Sequence, residues 1–105
     1  MSAARYEILL PLKYNDGREI EPEKFLLTKN ELGRKFGAVT VEPHPAEGVW
    51  TQQGILYEDV LLKFIVDVEK DTPATRAFFR RFKTTLKSRF NQLDVWIVSF
   101  PIRII

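Results

Sequence analysis

The chain contains no cysteine. That single absence removes disulfides, thiolate catalysis and cysteine-built zinc sites together. Histidine is almost as scarce, since His44 is the only one. No apolar run approaches the roughly 18 residues that a membrane-crossing helix requires. The N-terminal residues Met1-Ser2-Ala3-Ala4-Arg5 have no apolar stretch of their own before the first strand and lack the pattern of an export signal. A cytoplasmic location is the resulting expectation. There is no phosphate-binding P-loop and no dinucleotide glycine fingerprint. Charge of one sign is not in excess either: the net charge is +2, which by itself predicts no nucleic-acid partner.

What is present reads as a globular chain. Its 105 residues are 45% hydrophobic and 29% charged, values ordinary for a soluble domain. No linker, repeat or low-complexity tract divides it, so a single domain over residues 1–105 is expected.

The local patterns alternate between two periods. Arg5 to Leu12 reads as a strand, with Tyr6, Ile8 and Leu10 on one side and Glu7, Leu9 and Pro11 on the other. Asn15-Asp16-Gly17 is a turn signal. Glu21 to Phe36 follows as a helix, with Pro22 suited to its first turn and Gly37 to its C-terminal stop. Ala38 to Glu42 is a short strand that Pro43-His44-Pro45 is expected to break. Gly48 to Thr51 is a small extra strand, followed by a turn at Gln52-Gln53-Gly54. The longest strand runs within Ile55 to Val68, and its apolar residues on both sides predict an interior position.

Thr72 is a suitable N-cap for a second helix, with Pro73 at its first position. Phe78, Phe79, Phe82, Leu86 and Phe90 form its apolar stripe. Leu93 to Ile105 is the last strand, and Pro101 suits a sheet edge. The order βαββαβ and the right-handed crossover rule lead to an α+β, ferredoxin-like antiparallel sheet with two helices on one face.

Two helices hide one face of such a sheet. The other would carry Leu9, Leu61, Ile65, Trp96, Val98 and Phe100. A contiguous apolar patch beyond a few hundred Å² calls for a cover. A second copy stacked sheet to sheet, as a dimeric α+β barrel, is the simplest one. The Pro43–Gly54 segment with Trp50 folded over the sheet is another, and an unrelated protein a third.

The string Phe36-Gly37-Ala38-Val39-Thr40, then Gly48-Val49-Trp50 and the long strand, resembles a family of small bacterial domains without an assigned activity. Phe82-Lys83, Phe90 and the final apolar strand also match. The resemblance implies a ferredoxin-like fold and carries over no functional residue. Other ferredoxin-like activities fit poorly. Acylphosphatases need an arginine-bearing glycine-rich loop where this chain reads Asn15-Asp16-Gly17-Arg18. RNA-recognition domains need a cluster of aromatics where Val60–Val68 has only Phe64, and metallochaperones need paired cysteines. Histidine-pair nucleases need a second histidine. The small CRISPR-adaptation nucleases place an aspartate at the end of strand one, to which Asp16 is a loose match.

Several polar residues carry chemistry in principle. Arg76, Arg80, Lys83 and Lys87 lie four, three and four residues apart, a narrow stripe on the second helix. Such a stripe can neutralise phosphates, although a solvated outer face is the commoner reason for one. His44 has a side chain suited to general-base work near neutrality, and an exposed loop histidine is its plainer role. Asp16, Glu19, Glu21 and Glu23 cluster after strand one, as acids near a helix start often do. Glu58 and Asp59 are adjacent, and neighbours on a strand face opposite ways. Trp50, Tyr57 and Trp96 could line a pocket, or anchor packing. The expectation is a binding or assembly module that pairs with itself, uses no metal or cofactor, and is not an enzyme. Nucleic-acid association through the basic stripe, and a dimeric-barrel enzyme with His44 as base, are the alternatives.

Overall fold

The computed structural model describes the backbone of residues 2–52 and 55–105 and the side chains of residues 2–43 and 61–105. Six elements follow in order: β1 (Ala3–Pro11), α1 (Pro22–Phe36), β2 (Thr40–Gln52), β3 (Ile55–Val68), α2 (Pro73–Arg89) and β4 (Trp96–Ile102). The sheet order is β2-β3-β1-β4, and every neighbouring pair is antiparallel. Strands joined through a helix therefore run parallel with a third strand between them. That interleaving of two split βαβ units is the ferredoxin-like arrangement.

Period-two alternation builds the core face. Ala4, Tyr6, Ile8 and Leu10 of β1 are buried, while the residues between them are half-buried. Opposite them stand Phe64, Val66 and Val68 of β3. Both helices lay their apolar stripes on this face. Leu32 of α1 and Phe79, Phe82 and Leu86 of α2 are buried, and Phe25, Phe36 and Phe78 pack against the same cluster. Aromatic rings dominate: Phe36 stacks on Phe79 at 5.3 Å, and Phe78 stacks on Phe82 at the same separation. Burial of each such side chain is worth about 1.5–3 kcal/mol.

The helix ends form for local reasons. The Thr72 hydroxyl accepts the Thr75 N–H at 3.1 Å, with Pro73 just inside. Gly37 closes α1 in the left-handed region at φ 85°, donating its N–H to the Gly33 carbonyl at 2.8 Å. Arg89 joins the helices by donating to both Glu31 oxygens, at 2.8 and 3.0 Å, and to the Thr28 hydroxyl at 2.9 Å. Among the described residues no helix is long and apolar enough to cross a membrane.

Three expectations are corrected. Pro43-His44-Pro45 does not end β2. The strand continues to Gln52 through an irregularity at which residues 45–47 stand opposite residue 60 alone. The expected separate strand at Gly48–Thr51 is the far half of β2. β2 is an edge strand, where a bulge and missing proline donors are tolerated. β4 begins at Trp96, not at Leu93. Asn91 takes φ 50°, Leu93 is 92% exposed, and the Asp94 carboxylate accepts the Val95 N–H at 2.9 Å. The segment before Trp96 is thus a turn that returns the chain from α2.

Candidate functional site

Neither helix covers the second sheet face, and strand register sets what it presents. One row across it reads Trp96, Leu9, Lys63 and Glu42. The next reads Val98, Glu7, Ile65 and Thr40, and a third Phe100, Arg5 and Asp67. Pro11 and Leu61 pair beyond the first row. All six residues expected on this face, Leu9, Leu61, Ile65, Trp96, Val98 and Phe100, fall in these rows. Trp96 is 62% and Phe100 41% exposed, while the other four are half-buried.

The face is not uniformly apolar. Arg5 donates two hydrogen bonds to Asp67, at 2.8 and 3.0 Å. Lys63 lies 3.7 Å from Glu7, each with less than a fifth of its side chain exposed. These four charged residues cancel in pairs. Period-two reasoning alone does not find them, because the pairing depends on register between β1 and β3. Beside Trp96 a shallow hollow of about 300 Å³ is lined by Leu9, Pro11, Leu61, Gln92 and Asp94.

The basic stripe of α2 is partly tied down. Arg76 lies 3.4 Å from Asp71, and Lys83 lies 3.0 Å from Asp94. The Lys83 hydrogen bond, with the Val95 N–H, holds the Asp94 carboxyl below the usual carboxylate range. Arg80 and Lys87 form no salt bridge among the described residues. A second hollow, of about 310 Å³, lies between α2 and β4 and is lined by Tyr6, Arg76, Arg80, Lys83, Ile97 and Ser99, among others.

The acids after β1 are engaged locally. Asp16 accepts hydrogen bonds from Arg18, from its N–H at 3.0 Å and its guanidinium at 2.7 Å. Glu21 accepts from the Tyr14 hydroxyl, while Lys24 donates to that hydroxyl at 2.5 Å. The Tyr14 hydrogen bond pulls the Glu21 carboxyl down to about 2. Among the described residues no three His, Cys, Asp or Glu side chains converge as a metal set. The backbone of His44 pairs with Leu61 on β3. The side chains of His44, Trp50, Tyr57, Glu58 and Asp59, and with them the expected base, the pocket with Trp50 and the Trp50 cover, lie outside the described residues.

No protein-family model matches the chain, and no curated protein matches it. Among solved structures, a phage SAM lyase in complex with S-methyl-5'-thioadenosine is similar, with a TM-score of 0.63. The match covers 98% of this chain and 91% of that one at 14% identity. At that identity the likeness is one of fold.

Proposed function

We propose that this chain is a binding and assembly module that pairs with a second copy of itself through the open face of its sheet. One observation carries the reading: Trp96 and Phe100 are 62% and 41% exposed on a face that no helix covers. Leu9, Leu61, Ile65 and Val98 extend the apolar surface between them. Large apolar side chains standing together on a sheet are a common mark of an interface. The charges on the same face favour a copy over a charged partner. Arg5 is matched by Asp67 and Lys63 by Glu7; with Glu42 the three rows carry a net charge of −1, a weak field for recruiting a strongly charged molecule. A two-fold axis through it would make the same patch serve both copies.

Solution mass by light scattering, at low and high salt, tests this. A dimer that persists in high salt is expected, and Trp96→Glu should convert it to monomer. A monomeric parent protein, or an unchanged dimer in Trp96→Glu, would exclude this face.

A second reading is supported by the likeness to the phage SAM lyase over nearly the whole chain. In it the chain is a small-molecule enzyme whose site lies against the open face, with His44 as base and the hollow beside Trp96 as part of the pocket. Thermal shift with S-adenosylmethionine and with S-methyl-5'-thioadenosine tests that reading. A rise in melting temperature that His44→Ala abolishes would favour it, and no shift with either compound would remove it.

A further inference from the structure

The groove between α2 and β4 borders the open face at Val98 and Phe100 and adds to it a basic helix and a free strand edge that neither reading uses. β4 is last in the sheet order and, among the described residues, pairs with β1 alone. Its outer edge therefore carries backbone donors and acceptors without a strand partner. Along that edge runs the hollow of about 310 Å³ flanked by Arg76, Arg80 and Lys83. A further hollow of about 410 Å³ shares Arg76 and Ser99 and continues toward Phe100 and Pro101. The result is a trough with cations on its helical wall and open backbone on its strand wall.

We propose that this trough binds an extended acidic segment of another protein as an added strand, with its backbone on Trp96–Phe100 and its carboxylates on Arg76, Arg80 and Lys83. The spacings agree. Positions i and i+2 of a strand lie about 6.6 Å apart on one side. Arg76 and Arg80 are separated by about 6 Å of helical rise. A segment with acids at alternate positions thus presents two successive carboxylates at the pitch of Arg76 and Arg80, and the long side chain of Lys83, about 4.5 Å further along the helix, reaches the next. Asp71 and Asp94 hold Arg76 and Lys83, the residues on either side of Arg80 in the stripe. Arg80, between them, forms no salt bridge among the described residues, and a ligand carboxylate would supply one. Pro101 removes a backbone donor, which limits the added strand to the residues before it.

The same geometry disfavours a nucleic acid. Single-stranded binding relies on exposed rings beside the cations for bases to stack on. Here Tyr6 and Phe79 are buried and Trp96 stands on the opposite face of the sheet, so that Phe100, at the far end of the trough, is a single partly exposed ring beside the cations and too little for successive bases to stack on. Main-chain pairing at a sheet edge, with side-chain matching along it, is the mode the trough suits.

The test uses a fluorescein-labelled peptide of alternating Glu and Val, its Lys–Val counterpart, and a labelled oligothymidylate, each read by fluorescence anisotropy at low salt. The Glu–Val peptide should bind, and Arg80→Glu should weaken it by about tenfold or more. Arg80 is exposed, so the variant should fold, and circular dichroism checks that it does. Amide hydrogen exchange should show new protection on β4 when the peptide is bound. Absence of binding would overturn the proposal. So would equal affinity in Arg80→Glu, binding without new protection on β4, or tighter binding of either the Lys–Val peptide or the oligothymidylate.

Discussion

Tyr6 lies flat against Phe79, with ring centroids 4.0 Å apart and planes 8° from parallel. At the edge of that stack the Tyr6 hydroxyl donates to Asp71 at 2.5 Å. The Asp71 N–H in turn donates to the Ser2 carbonyl at 2.9 Å, so β1 and the start of α2 are fastened at one point. Burial, and then the hydrogen bond to Asp71, push the Tyr6 phenol up to about 12. In the unfolded chain it titrates near its ordinary value, about 10. Its neutral form therefore adds stability that is intact below about pH 10 and is lost as pH rises through about 12. The loss should be roughly 2–3 kcal/mol, read by urea unfolding at about pH 8 and about pH 12. Tyr6→Phe keeps the ring stack and should flatten that alkaline decline. An unchanged decline in Tyr6→Phe would assign it to other groups.

Two glycines four residues apart should respond to alanine with opposite signs. Gly33 lies within α1, where an added Cβ meets only Val39 Cγ1 at 3.9 Å, ordinary contact. Gly33→Ala should stabilise the protein by about 0.5–1 kcal/mol, through helix propensity and a less flexible unfolded chain. Gly37 has open space around it but a φ of 85°. There alanine is strained by its own backbone, and Gly37→Ala should cost about 1–2 kcal/mol. Melting temperatures of the two variants decide it, and shifts of the same sign would contradict the assigned end of α1.

The pattern of what was legible follows the range of the forces. Helix ends are decided within a few residues, so Thr72-Pro73 and Gly37 mark them openly in the sequence. The alternation of Tyr6, Ile8 and Leu10 likewise fixes which side of β1 is buried. Pro43-His44-Pro45 misleads because local rules treat a proline pair as a stop, whereas an edge strand with a bulge passes through it. Leu93 misleads in the opposite way. It keeps the alternation of the strand that follows, yet lies in a turn held by Asp94 and by the Gln92 N–H on the Lys87 carbonyl at 2.9 Å. For the candidate site, periodicity places Trp96, Val98 and Phe100 together, because a strand's period needs no partner. The ion pairs among them depend on register between strands more than 50 residues apart in the chain, and no local pattern encodes it.

The Lys63–Glu7 pair offers a test of that register and of how the open face is held. Lys63 stands across from Glu42 on one side and Leu9 on the other, with Glu7 within 3.7 Å. Less than a fifth of either side chain in the pair is exposed, so each charge depends on the other more than an exposed surface pair would. Lys63→Glu would gather Glu42, Glu7 and the new carboxylate on one patch of sheet. Like charges across a strand pair repel, and a loss of about 1–3 kcal/mol is expected in urea unfolding. Adding Glu7→Lys restores opposite signs between β1 and β3 and should recover part of that loss. Glu42 then faces a carboxylate on β3 still, so recovery should stop short of the parent value. If the double variant is no more stable than Lys63→Glu alone, the two side chains do not act as a pair. The charge balance that favours a second copy on this face would then lose its central element.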